Sequence, residues 1–300
     1  MDRPKWWDVP YAVPGPNLDH TQFVRIHVSP DTSDGVVHGT VIVLHGGYWK
    51  NRYGLGDEYG NAGTASVTPF FLARGFSVVE VEYRRRDHEG GGWPGTNQDV
   101  LAAVHHVCAL SSKREDAPDQ LNADFQAALA SLRPDRLILL GHSAGGCLAL
   151  WAAHQMRVHG IRPVVLAAAP VADLVKGHEL RVSDEGDAVE LYMKMKPDSE
   201  GIAEYNKASP SALLPVTFPL CVVFGDADVD VPPELVRAYA QQAKSSAPEL
   251  VSIVEIAEAD HFDVVNASSE CWSQHVIPAL RDVVMKQFGE SAAAALTIDA

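Results

Sequence analysis

Leu137-Ile138-Leu139-Leu140-Gly141-His142-Ser143-Ala144-Gly145-Gly146-Cys147-Leu148-Ala149-Leu150 sets the reading of the whole chain. Four apolar residues in a row, Leu137 to Leu140, predict a short strand covered on both faces. The apolar run from Cys147 to His154 predicts a helix. Between them lies the pattern G-x-S-x-G, centred on Ser143. A serine on so sharp a strand-to-helix turn presents its hydroxyl above the sheet edge. Only small residues two before and two after it let the backbone pass that closely. Side chains of adjacent residues on such a turn point apart, so His142 reads as a packing residue.

The same rhythm extends in both directions. Strands are expected at 22–29, 40–44, 76–83, 164–169, 220–224 and 250–256, and helices at 98–110, 144–157, 234–244 and 269–288. Short apolar strands alternating with helices predict a mostly parallel central sheet with helices on both faces, the α/β-hydrolase fold. Residues 1–300 read as one domain, with the Pro- and aromatic-rich first 20 residues as an arm on its surface. Two stretches interrupt the rhythm: a polar insertion at 111–122 and a long charged segment at 173–214. An insertion of that length after a strand is where a cap over an active site is expected.

Composition narrows the function classes. The chain has 300 residues, 46% of them hydrophobic, enough for a large core, and its net charge is −15. An acidic surface repels phosphate backbones and anionic lipid, so no nucleic-acid or membrane partner is expected, only a small-molecule substrate. The oligomeric state is open. The cysteines Cys108, Cys147, Cys221 and Cys271 are scattered, with no C-x-x-C pair and no cluster at metal-ligand spacing. Neither a metal nor a cofactor is therefore expected. No signal-peptide-like run follows Met1, and no window approaches a membrane span, so a soluble cytoplasmic protein is expected.

A serine hydroxyl is a poor nucleophile near neutral pH and needs an imidazole to take its proton, with a carboxylate to orient that imidazole. In this fold the order along the chain is serine, acid, histidine. The run Gly225-Asp226-Ala227-Asp228-Val229-Asp230 follows the strand at 220–224 and offers three carboxylates. Asp228 is the preferred acid, three residues beyond Gly225 and just ahead of Val231-Pro232. Asp226 and Asp230 read as loop-shaping residues. His261, in Ala259-Asp260-His261-Phe262, stands just after the strand at 250–256 and is the expected base.

His45-Gly46-Gly47-Tyr48-Trp49 follows the strand at 40–44, about a hundred residues before the serine. In this fold such a loop supplies backbone N–H groups to the oxyanion, with the N–H after the nucleophile as their partner. The expected donors are those of Gly47, Tyr48 and Ala144. Trp49, His45 and Gly46 are the expected substrate-side neighbours.

Taken together, His45-Gly46-Gly47-Tyr48-Trp49, Gly141-His142-Ser143-Ala144-Gly145-Gly146 and Asp260-His261-Phe262 resemble the kynurenine formamidase (arylformamidase) family. Tyr83-Arg84-Arg85 and Asp99 look like further landmarks of that family, and the resemblance runs from about Thr40 to His261. The hormone-sensitive-lipase-like esterases usually carry a third glycine where this chain has Tyr48. The segments 111–122 and 173–214 look longer than the family norm. The resemblance implies hydrolysis of an N-formyl aryl amide, such as N-formylkynurenine, to formate and an arylamine. A broad small-ester carboxylesterase on the same machinery is the alternative, and a relative that binds a ligand without catalysis is the third reading.

Overall fold

The strand at Leu137 lies inside the sheet, between the strand at Thr40 and the next strand along the chain, at Val164. The computed structural model describes residues 6–12, 21–27, 36–57, 60–111, 123–156, 160–183 and 185–297. Among them eight strands form one sheet: β1 (Trp6–Pro10), β2 (Phe23–His27), β3 (Thr40–Leu44), β4 (Ser77–Glu82), β5 (Leu137–His142), β6 (Val164–Ala168), β7 (Leu220–Gly225) and β8 (Val251–Ile256). Their order is β1-β2-β4-β3-β5-β6-β7-β8. The pairs β1–β2 and β2–β4 are antiparallel and the rest parallel. This is the α/β-hydrolase fold that the sequence predicts.

Helices cover both faces, and the strands show it residue by residue. Ile42, Leu44, Leu137, Leu139, Val165 and Val222 belong to one core, while Val41, Val43, Ile138, Leu140, Val164 and Val223 belong to the other. Runs such as Thr-Val-Ile-Val-Leu in β3 therefore need no polar alternation, because neither face meets water. The first core is closed by α2 (Gly95–Leu110), α3 (Ala123–Ala130), α4 (Ala144–Met156) and α8 (Pro233–Ser246). The second is closed by α1 (Val67–Leu72), α9 (Ile277–Phe288) and α10 (Glu290–Ala295).

Two features differ from the expectation. Trp6–Pro10, expected in a surface arm, is the edge strand β1. Trp7 turns inward onto Phe125 with ring centroids 5.4 Å apart, and Pro10 sits at the strand end, where its missing N–H is tolerated. The expected helix at 269–288 runs from 270 to 288 but is not α-helical throughout. Pro278 cannot donate to a carbonyl one turn back, and a π-helical turn, Trp272–Val276, precedes α9, with the Ile277 N–H donating to the Trp272 carbonyl. The insertion at 111–122 lies, beyond Ser111, outside the described residues.

The segment 173–214 folds as α5 (Leu174–Glu179), α6 (Ala188–Met193), α7 (Ile202–Ala208) and a 3-10 turn, Pro210–Leu213. It packs over α4, which explains why that helix is buried nearly all round. The Trp151 indole donates to the Lys207 carbonyl at 3.0 Å, and the Trp93 indole donates to Glu204 at 2.9 Å. Among the described residues no helix is long and apolar enough to cross a membrane.

Candidate active site

β5 delivers Ser143 to the carboxyl end of the sheet, and α4 starts at the next residue. Ser143 has φ +56°, a left-handed conformation that costs a non-glycine residue about 1–3 kcal/mol. The Ser143 N–H donates to the Ala168 carbonyl of β6 at 2.8 Å, and the Ser143 carbonyl accepts from Cys147 at 3.2 Å, so strand and helix both hold the strained residue. The flanking glycines are required by contact. A Cβ on Gly141 would lie 2.2 Å from the Gly145 carbonyl oxygen, and one on Gly145 would lie 2.1 Å from that of Leu44. The second figure also shows how closely β3 abuts the start of α4, which brings the loop after β3 beside the serine.

That loop runs through three successive left-handed residues, Gly47 (φ +97°), Tyr48 (φ +55°) and Trp49 (φ +56°). A side chain at Gly47 would place its Cβ 2.3 Å from that of Tyr53. Underneath, the His45 ring stacks on Tyr83 with centroids 4.4 Å apart, and the Tyr83 hydroxyl donates to the His45 carbonyl at 2.6 Å. Glu82 ties this layer together. It accepts from Arg85 and from the Leu55 N–H at 2.8 Å, and lies 3.4 Å from His45 Nε2. Burial works to raise the Glu82 carboxyl, but the His45, Arg85 and Leu55 contacts outweigh it and hold it below its ordinary value. Ala144, the third expected oxyanion donor, opens α4, where the first N–H groups have no intrahelical partner.

The expected acid and base meet through β7 and β8. His261 Nδ1 donates to Asp228 Oδ2 at 2.7 Å, and both residues are buried. The other Asp228 oxygen accepts the N–H groups of Asp230 (2.9 Å) and Val231 (2.8 Å), so the carboxylate is fixed on both sides. With Nδ1 committed, Nε2 is the imidazole nitrogen left for proton transfer. Asp226 is turned elsewhere, accepting the Glu258 N–H at 2.6 Å. Asp230 accepts the Tyr48 hydroxyl, a partner 182 residues away.

Ser143, His261, Gly47 and Tyr48 line one cavity of about 230 Å³, together with Tyr53, Ala62, His142, Asp230 and Phe262. None of the described residues of 173–214 lines it; that segment packs against α4 and Trp49 instead. The expected substrate-side residues Trp49, His45 and Gly46 do not line it either. Trp49 is buried and stacks on Tyr192 of α6 with centroids 4.2 Å apart, because its left-handed backbone turns the indole into the core. His45 is buried against Tyr83, and Gly46 is wedged against His142, whose carbonyl oxygen would be 2.9 Å from a Cβ there. His142 packs as expected and also bonds the base loop: its Nε2 donates to the His261 carbonyl at 2.9 Å. Burial, and then the nearby charge of His261, push its pKa down to about 3.

Asp228, Asp230 and His261 also bring one potential metal-ligand atom each within 4.8 Å of one another, a grouping that sequence spacing does not reveal. The Asp228–His261 bond, the two backbone N–H groups on Asp228 and the Tyr48–Asp230 bond already engage both Asp228 oxygens, His261 Nδ1 and one Asp230 oxygen.

Residues 64–277 match the profile of the prolyl oligopeptidase family. No curated protein sequence gives a significant match. Among solved structures, a truncated carbohydrate esterase from gut microbiota superposes with TM-score 0.67 at 18% identity, over 96% of each chain. Esterase B from Lactobacillus rhamnosis, bound to an inhibitor, superposes with TM-score 0.65 at 19% identity, over 94% of this chain and 88% of that one. A bifunctional GH43-CE protein of Bacteroides eggerthii gives TM-score 0.65 at 16% identity over 86% of this chain, which spans 36% of that protein. At these identities the likeness is one of fold.

Proposed function

The chain belongs to the prolyl oligopeptidase family of α/β-hydrolases and is a serine hydrolase; from that premise we propose that it cleaves small-acyl esters through an acyl-enzyme on Ser143. The observation that carries this reading is the buried 2.7 Å bond from His261 to Asp228, in the same cavity as a serine on a strained turn. Ser143 Oγ attacks the substrate carbonyl as His261 Nε2 takes its proton. The N–H groups of Ala144, Gly47 and Tyr48 receive the developing oxyanion. His261 then gives the proton to the leaving group, and water, activated by the same imidazole, releases the acyl group.

The acyl group is small because the space is small. At about 230 Å³ the cavity falls below the roughly 300–1,000 Å³ common for drug-sized ligands. The esterases among the structural neighbours agree with an ester as the substrate. A second reading, N-formyl aryl amide hydrolysis, is favoured by the Tyr48 ring, held at the cavity wall by Asp230 where hormone-sensitive-lipase-like esterases usually carry a third glycine. Formyl is the smallest acyl group, and an aniline nitrogen leaves more readily than an alkyl amine. Trp49 lends this reading nothing, since it faces the core.

One assay decides between them: kcat/KM on p-nitrophenyl acetate, butyrate and octanoate beside formate release from N-formylkynurenine. Acetate is expected to lead the esters, since an unaccommodated methylene costs about 10- to 200-fold. N-formylkynurenine turnover above that of the acetate would put the formamide reading first. A preference for octanoate overturns the small-acyl reading. No turnover of any substrate, with saturable ligand binding, favours a non-catalytic relative.

A further inference from the structure

Asp228 and Asp230 lie two residues apart and face different surroundings. Asp228 is buried, with both oxygens engaged by His261 and by backbone N–H groups. Asp230 is half-buried and lines the cavity. Its Oδ1 accepts the Tyr48 hydroxyl, and its Oδ2 has no protein partner among the described residues. Structural ion pairing therefore does not account for this carboxylate.

The surroundings of Asp230 are aromatic. Tyr48 and Tyr53 form adjoining walls with ring centroids 6.4 Å apart, and Phe262, 47% exposed, stands at the rim. A carboxylate among aromatic faces is the chemistry that recognises organic ammonium groups. The protein's own cations nearby do not supply the partner. Lys50 Nζ lies 5.5 Å from the Tyr48 ring centroid but pairs with Glu185 at 2.9 Å. The Arg52 guanidinium lies 4.7 Å over the Tyr53 ring from an exposed position. The net charge of −15 further favours the approach of cations.

Asp230 shares a loop with Asp228, the carboxylate bonded to His261, which in the reading above protonates the leaving group. We propose that Asp230 is a specificity-determining residue and that this site prefers substrates whose alcohol or amine half carries an organic ammonium. The inference rests on the hydrolase reading above and adds the class of leaving group.

The test uses two esters matched in shape, 3-(trimethylammoniomethyl)phenyl acetate and its uncharged isostere 3-neopentylphenyl acetate. Each is assayed with wild type and with Asp230→Asn, which keeps an acceptor for Tyr48 and removes the charge. Comparing the cationic-to-neutral ratio of kcat/KM between the two proteins cancels any intrinsic difference between the esters. That ratio is expected to fall by about 3- to 30-fold in Asp230→Asn, and the wild-type ratio to shrink with added salt. An equal ratio in both proteins overturns the inference, as does an equal loss on both esters. Turnover of neither ester overturns the hydrolase reading instead, and binding then decides the inference. Calorimetry with 3-(trimethylammoniomethyl)phenol should show tighter binding to wild type than to Asp230→Asn; equal affinity, or none, overturns it.

Discussion

The indole of Trp49 lies nearly parallel to the ring of Tyr192, with an interplanar angle of 13° and centroids 4.2 Å apart. This contact joins the loop after β3 to α6, and so ties the oxyanion loop to the segment 173–214. Trp49→Ala is accordingly expected to destabilise the fold by about 3–5 kcal/mol, read as a lower midpoint in urea unfolding. The ranking of acetyl, butyryl and octanoyl esters should stay as in wild type. A shift toward longer acyl chains would place the indole on the cavity wall after all.

Ser143→Ala should retain less than about a thousandth of the wild-type kcat, since only oxyanion binding and positioning would remain. Its circular dichroism should match wild type, because alanine fits the turn where serine stands. A phosphonate directed at nucleophilic serines should label wild type and spare the variant. Retention of more than a tenth of the rate would remove Ser143 from the chemistry.

Within the acid loop the three aspartates should separate cleanly. Asp228→Asn is expected to lower kcat by up to about four orders of magnitude, because the amide holds His261 in the wrong tautomer. Asp226→Asn should lower it far less, since Asp226 accepts the Glu258 N–H at 2.6 Å and it is Asp228 that bonds His261. Steady-state kinetics of the two variants decide this. A crippled Asp226→Asn beside an active Asp228→Asn would reassign the acid.

Dialysis against EDTA should leave the rate unchanged. His261 Nδ1 and Asp228 Oδ2, two of the atoms an ion would need, are bonded to each other at 2.7 Å. Activity lost on chelation and restored by zinc would replace the serine mechanism with a metal-assisted one.

His142 sets a pH dependence of stability. Its pKa lies at about 3 in the folded protein, against an ordinary value of 6.5, with burial the main cause. Between those values the unfolded chain binds a proton that the folded one does not, so stability falls as the pH drops from 6.5 toward 3. His142→Gln removes that proton. Its unfolding free energy should fall less steeply over this window, by up to about 1.4 kcal/mol per pH unit. Parallel curves from urea titrations at several pH values would show that His142 does not hold its proton off.

The sequence by itself determined the strands from β2 to β8, the serine turn and the histidine after β8. Each of these is a local matter. Alternation, apolar runs and glycine spacing are set by contacts within a few residues, and chain order alone singles out His261. The preference for Asp228 over its two neighbours could also be read from its place in the loop. Only the tertiary structure decided where the aromatic residues go. Tyr48 and Trp49 are adjacent, and both have left-handed backbones. One reaches Asp230 across the cavity, and the other turns into the core against Tyr192. Their partners lie far along the chain and come within reach only because the sheet order places β3 beside β5 and β7 beyond β6. The same holds for 173–214, whose length suggests a cap but whose contacts with Trp151 of α4, Trp93 and Trp49 decide where it sits. Which surface a side chain buries depends on what the fold brings opposite it, and no local pattern of residue types carries that information.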